Sequence, residues 1–181
     1  EYSWDVTTNY YKGLFTIEDE SDEFSLFYSE YQDKGYNNSE SDIYGYNFAA
    51  KSGKIEWAEK GATGHATHCA GNIAAVNNNG KGISGIAGGT GNNDGCRLMS
   101  CQIFWQGNGS YASIEAPAVK YAADNGASVI SCSFGTSSKI SSDNAYGEEI
   151  MVDALHYFEA TKNNNAIDGS IAIFAAGNEN D

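Results

Sequence analysis

The chain has 181 residues, 41% of them hydrophobic and only one proline, which predicts a single globular domain with one core and excludes a proline-rich linker. Its formal net charge of −14 argues against nucleic-acid binding, which needs a basic surface, and against adsorption to anionic membranes. The sequence has no apolar run of about 18 residues, so we predict no membrane-spanning helix.

The first 42 residues differ from the rest of the chain. They contain an acidic run at 18–23, many Tyr, Asn and Ser residues and little apolar periodicity. We therefore predict an irregular N-terminal segment or surface insertion over 1–42, with the acidic run as a solvated face. Because the chain begins at Glu1 rather than Met, with no secretory signal, we expect a processed, truncated or fragmentary N-terminus.

From residue 43 onward, apolar runs alternate with segments of helical periodicity. We predict strands at 43–48, 98–104, 128–134 and 171–176, helices at 64–76, 111–125 and 148–162, and a polar loop at 77–82. Strands that alternate with helices favour right-handed crossovers. The predicted fold is therefore α/β, with a parallel sheet covered by helices on both faces.

The four cysteines, Cys69, Cys96, Cys101 and Cys132, show no metal-type Cys-x-x-Cys spacing. All except Cys96 lie in apolar stretches, where a free thiol behaves as a small hydrophobic group. We interpret these three as core residues rather than as a disulfide framework. The alternative is that some of the cysteines form disulfides, so the sequence does not decide between an oxidising and a reducing compartment.

Three short blocks resemble those of a known enzyme family. Residues 64–71 read Gly-His-Ala-Thr-His-Cys-Ala-Gly, residues 129–135 read Val-Ile-Ser-Cys-Ser-Phe-Gly, and residues 174–178 read Phe-Ala-Ala-Gly-Asn. In this order they resemble the catalytic-histidine, substrate-strand and oxyanion blocks of subtilisin-like serine proteases. The resemblance covers roughly residues 43–181, and it implies a three-layer α/β sandwich with a mainly parallel sheet that hydrolyses polypeptides through an acyl-enzyme.

The resemblance assigns two catalytic residues. His65 corresponds to the general base, which takes the proton of the nucleophile and returns it to the leaving group. Asn178 corresponds to the side-chain donor to the oxyanion. His68 is expected to be a structural helix residue, and Ala66 departs from the family, which has Gly beside the base.

The resemblance also assigns a substrate-binding strand and an opposing segment. An extended substrate would pair with the main chain of the strand end and lie against the opposing segment. The residues concerned are Ser133, Phe134 and Gly135 on the strand, and Gly107 and Gly109 on the opposing segment.

The family's nucleophile and acid are not identified in this sequence. Gly135-Thr136-Ser137 spells the nucleophile motif, but Ser137 lies inside the substrate block and precedes no small-residue helix, so we reject it. The family places its acid in an Asp-Thr-Gly or Asp-Gly-Gly turn after an apolar strand. No aspartate in 1–64 stands in such a turn, and Asp19 lacks the following glycine. We expect the serine to follow residue 181 and the aspartate to precede residue 1, unless the acid has been lost.

The loop at 77–83 resembles the stabilising calcium loop of the family, with Asn79 as its one side-chain ligand. A solvent-exposed turn is the alternative. By resemblance, the reaction requires no cofactor, so calcium would be structural.

Two hypotheses about function follow. The first is a secreted or cell-surface serine endopeptidase, of which this chain is a part that acts with the remainder of its own catalytic domain. The second is a non-catalytic relative that binds peptides or a partner protein, which Ala66 and the unidentified acid favour. Under the first hypothesis we expect the isolated chain to hydrolyse no peptide and to be poorly stable or to associate.

Overall fold

A computed structural model describes residues 45–53, 55, 64–92, 94–105, 110–135, 145–161 and 169–178. The predicted irregular segment at 1–42 lies outside these residues. So do four residues that the sequence analysis singled out, namely Asp19, Gly107, Gly109 and Ser137.

Strands and helices alternate in the predicted order. The elements are β1 (Gly45–Asn47), α1 (His65–Ala74), β2 (Ser100–Gln102), α2 (Ala112–Asp124), β3 (Val129–Cys132), α3 (Ala145–Ala160) and β4 (Ile171–Phe174). β2, β3 and β4 are shorter than the predicted runs at 98–104, 128–134 and 171–176. Of the predicted strand at 43–48 the structure describes residues 45–48, and β1 covers the first three of these. The α/β class is confirmed.

The strands form two parallel pairs. β1 pairs with β2, with Gly45 opposite Ser100, and β3 pairs with β4, with Cys132 opposite Phe174. Among the described residues β2 and β3 do not pair, so the sheet predicted as continuous is seen as two two-stranded sheets. Because β3 and β4 run in the same direction, the segments that follow them emerge at one edge.

The main core lies between α2, α3 and one face of the β3–β4 sheet. Apolar residues at helical spacing on the two helices interlock: Ala116, Val119, Ala123, Ile150, Ala154 and Phe158. Ile130 of β3 and Ala172 of β4 pack against this cluster.

The opposite face of the β3–β4 sheet carries Val129, Ile171 and Ile173, which are exposed. Helices were predicted on both faces of the sheet. Within the described residues, helices cover one face of the β3–β4 sheet, and the other face is exposed. Side chains alternate along a strand, so the residues next to the core residues Ile130 and Ala172 point away from α2 and α3.

A buried charged group joins α2 to α3. Lys120 is only 2% exposed, and its Nζ lies 2.7 Å from Asp124 Oδ2 and 4.5 Å from the centroid of the Tyr157 ring. The Tyr157 hydroxyl donates to Asp124 Oδ1 at 2.7 Å. Burial first, then this hydrogen bond and the charge of Asp124, raise the pKa of Tyr157. A buried charge is tolerated when it is paired in this way, so the contacts favour one alignment of the two helices.

Phe158→Ala is expected to lower the free energy of unfolding by about 3 to 5 kcal/mol, because the ring is fully buried and its removal leaves a cavity. Chemical denaturation monitored by circular dichroism measures this change. The matched control is Val152→Ala on the exposed face of the same helix, which should change stability by less than about 1 kcal/mol. Equal effects of the two substitutions would contradict the position of the core.

Candidate active site

The helix α1 begins after Gly64, whose left-handed backbone conformation is easily adopted only by a residue without a Cβ. Gly64 is the N-cap, with φ of 69° in the left-handed region, and its carbonyl accepts the first helical hydrogen bond from the His68 amide at 2.9 Å. The helix start predicted near Gly64 is confirmed, and the helix ends at Ala74, two residues before the predicted end. His65 is thus the first residue of α1, and its side chain is exposed.

His65 reaches the substrate-strand block across 68 residues of sequence. Its Nε2 lies 3.0 Å from the main-chain carbonyl oxygen of Ser133, the first residue after β3. A carbonyl only accepts, so Nε2 carries the hydrogen in this contact. The structure therefore brings the predicted base to the strand end that the sequence analysis assigned to substrate binding.

Asn178 follows β4 at the same edge of the β3–β4 sheet. The Ala175 amide donates to the Cys132 carbonyl at 3.0 Å, which continues the parallel ladder one residue past Phe174. Gly177 then turns the chain with φ of 90°, and Asn178 is exposed. Strand register thus places Ser133 and the Asn178 segment at neighbouring strand ends.

Three phenylalanines line this edge, a feature that the sequence analysis missed. The rings of Phe104 and Phe134 meet edge to face at 6.0 Å between centroids, and those of Phe134 and Phe174 meet at 6.5 Å. Phe104 and Phe174 are exposed, and Phe134 is half-buried. Each ring lies at or just after the carboxyl end of a strand. A phenylalanine at this position in three predicted strands is the sequence pattern from which the aromatic row could have been predicted.

A sequence profile of the subtilase family matches residues 18–181. The chain belongs to the subtilase family. The match begins inside the acidic segment and includes all three blocks described above.

One curated subtilase relative is thermitase of Thermoactinomyces vulgaris, which is 34% identical to this chain over 116 residues. That stretch is 64% of this chain and 34% of thermitase, so the match spans about a third of the relative's length. No solved structure matches the chain.

Within this subtilase, α1 places a thiol beside His65. Cys69 Sγ lies 3.6 Å from His65 Nε2, one helical turn further along. Cys69 was predicted only as a core residue, although its i, i+4 spacing from His65 indicates that the two side chains can meet on one helix face. The ring of His68 instead faces Asn72 on its own helix, with 3.4 Å between Nδ1 and Nδ2.

All four cysteines are free thiols. Of the three predicted as core residues, Cys132 is buried, whereas Cys69 and Cys101 are half-buried. Burial raises the pKa of Cys101 to about 12, with a smaller contribution from Cys132. Burial, and then the charge of Glu115, raise the pKa of Cys132 to about 11. Both thiols therefore stay protonated at neutral pH. Cys96, by contrast, is exposed.

The loop after α1 holds the predicted calcium ligand. Asn79 Oδ1 accepts a hydrogen bond from the Lys81 amide at 2.9 Å, so this oxygen is partly engaged within its own turn. The Asn77 side-chain oxygen is buried and has no hydrogen-bond partner within the described part of the chain. That part contains no cluster of three or more His, Cys, Asp or Glu side chains able to hold a metal, and none of its helices is long and apolar enough to cross a membrane.

Proposed function

We propose that this chain carries the general base and the oxyanion donor of a subtilisin-type serine endopeptidase with a three-layer α/β fold. The observation that carries the proposal is the 3.0 Å contact between His65 Nε2 and the Ser133 carbonyl, which joins the histidine block to the substrate strand. The family membership and the position of Asn178 beyond β4 support the same assignment.

In the proposed reaction, His65 takes the proton of a serine hydroxyl as the serine oxygen attacks the peptide carbonyl carbon. Asn178 donates from its side-chain amide to the oxyanion that forms. His65 then returns the proton to the leaving amine, and water repeats the sequence on the acyl-enzyme. Because Nε2 donates to the Ser133 carbonyl here, the ring must leave that contact and carry its hydrogen on Nδ1 before Nε2 can accept the serine proton.

The proposed substrate is an extended polypeptide that pairs with the main chain at Ser133, Phe134 and Gly135. The aromatic row formed by Phe104, Phe134 and Phe174 gives apolar substrate side chains a surface next to this strand. The opposing residues Gly107 and Gly109 remain predictions outside the described residues. The charge of −14 supports neither a nucleic-acid nor a membrane partner.

The 181-residue chain by itself is expected to hydrolyse no peptide, because neither a nucleophilic serine nor an orienting aspartate is identified in it. Release of fluorescent fragments from a labelled unfolded protein measures this. The control is the His65→Ala chain, prepared in the same way. Turnover that persists through purification and disappears in that variant would contradict the prediction.

The coding DNA on both sides of this segment separates the two functional hypotheses. An apolar strand ending in Asp-x-Gly upstream, and Gly-Thr-Ser with small residues downstream, would support the endopeptidase. A secretory signal there would support the proposed extracellular or cell-surface location. The alternative function is a non-catalytic peptide-binding domain, and Ala66 beside the base favours it. A gene without the acid and the serine would establish that alternative.

We also propose that the loop at 77–83 binds a structural calcium ion, supported by the unpartnered Asn77 oxygen and by the amide oxygen of Asn79. The catalytic residues themselves need no cofactor. Hard amide and main-chain oxygens are suitable calcium ligands.

Calcium at about 100 times its dissociation constant is expected to stabilise the fold by about 2.7 kcal/mol. Melting curves in calcium and in a chelator measure this difference. Asn79→Ala should reduce it, whereas Asn92→Ala, in the next exposed turn, should not. Identical melting in calcium and chelator would leave the loop as an ordinary turn.

A further inference from the structure

We infer that Asn79–Gly80 is a site of spontaneous deamidation, at which the folded chain converts an asparagine to aspartate and isoaspartate. The sequence contains three Asn-Gly pairs, at residues 79–80, 108–109 and 125–126. The pair at 108–109 lies outside the described residues. The other two differ in the burial of the asparagine and in the hydrogen bonding of the glycine amide, and that contrast carries the inference.

The chemistry needs only the chain and water. The Gly80 main-chain nitrogen loses its proton and attacks Asn79 Cγ, and the bond from Cγ to Nδ2 breaks to release ammonia. Water then opens the resulting cyclic imide at either carbonyl, which leaves aspartate or isoaspartate. A glycine on the C-terminal side speeds the attack because it has no side chain to crowd the nitrogen, and asparagine is accordingly among the thermolabile residues.

The geometry at Asn79 meets these requirements. Asn79 and Gly80 are both exposed, and a Cβ built on Gly80 would meet no atom within 4 Å. The Gly80 amide makes no hydrogen bond to another described residue. The Lys81 amide donates to Asn79 Oδ1 at 2.9 Å, which draws electron density from Cγ and holds the side chain over the following main chain.

Asn125–Gly126 differs in the asparagine side chain and in the glycine nitrogen, although Gly126 is also exposed and a Cβ built on it would meet no atom within 4 Å. Asn125 is 8% exposed, at the C-cap of α2, and its Nδ2 donates to the Tyr121 carbonyl at 2.9 Å. The Gly126 amide donates to the Ala123 carbonyl at 3.1 Å, so its nitrogen is not available for attack. This site can react only when α2 frays, which makes it an internal control of the same dipeptide type.

The modification would change the loop that follows the histidine helix. It replaces a neutral amide by a carboxylate, and isoaspartate also lengthens the main chain by one carbon. The chain just beyond this loop is tied to the end of α1, since the Gly85 amide donates to the Ala75 carbonyl at 2.8 Å and the Ile86 amide to the Asn72 carbonyl at 2.9 Å. The new negative charge would therefore lie close in sequence to the hydrogen bonds that hold the end of α1, the helix that bears His65.

The test is a time course of the purified 181-residue chain at neutral pH in chelator, which removes any cation from the loop. Proteolytic peptides analysed by mass spectrometry report the acid content at each asparagine. We expect Asn79 to convert at least about tenfold faster than Asn125 in the native chain, and the two rates to converge in denaturant. Asn79→Gln should abolish conversion in that peptide and leave Asn125 unchanged.

Two results would overturn the inference. One is that Asn79 remains an asparagine in the native chain while it converts in the denatured chain. The other is equal conversion of Asn79 and Asn125 without denaturant, since the structure would then make no selection between the two pairs. Neither result depends on peptidase activity, so the inference and the proposed function fail independently.

Discussion

Replacing His65 with alanine is expected to lower kcat for peptide hydrolysis by roughly 10⁶-fold in the protein encoded by the complete gene. The serine would lose the base that takes its proton, and the leaving amine would lose its acid. KM should change little, because in the proposed function the main chain of the strand end, and not the imidazole, would hold the substrate. Initial rates on a peptide that releases a chromophore give both constants.

His68→Ala is the matched control for this prediction. His68 lies on the same helix and is also exposed, but its ring faces Asn72 rather than the Ser133 carbonyl. We expect kcat of the His68→Ala variant to stay within about threefold of kcat of the natural protein, as for a surface substitution. Equal losses in the two variants would mean that damage to α1, rather than loss of a base, explains the effect of His65→Ala.

Replacing Asn178 with alanine is expected to reduce kcat by about 10²- to 10³-fold, which corresponds to about 3 to 4 kcal/mol of transition-state stabilisation. The side-chain amide would donate to an oxygen that becomes negative only in the transition state, so the loss should fall on kcat and spare KM. The same chromogenic assay separates the two constants.

Asn92→Ala is the control for Asn178, because it removes an exposed asparagine side chain from a loop outside the site. It should leave both constants unchanged. An Asn178→Ala enzyme with normal kcat and a raised KM would show that this side chain binds substrate and does not stabilise the oxyanion.

Local patterns predicted the helices better than the strands. The apolar residues of α2 and α3 recur every three or four positions, and such spacing is visible in one stretch of sequence. Strand length depends instead on a partner elsewhere in the chain. β1 pairs with β2 across more than fifty residues, as the register of Gly45 with Ser100 shows, and no local pattern records that distance.

The site could be predicted where its residues form contiguous blocks. His65 and Ser133 were assigned from two separate blocks, and the structure brings them into contact. The aromatic row was missed because its three rings come from three strand ends and meet only in the folded chain. Lys120 was missed for a related reason: a lysine within a helix gives no sign that a carboxylate and an aromatic ring will cover it.

We propose, above all, that this protein performs serine catalysis with His65 as its general base. The most direct measurement treats the protein encoded by the complete gene with a phosphonofluoridate, whose phosphorus a base-activated serine attacks with loss of fluoride. Mass spectrometry then locates the label. We predict one labelled serine, not Ser137, with labelling lost in His65→Ala and kept in His68→Ala. A protein that binds extended peptides but takes no label, or takes it equally without His65, would contradict the claim.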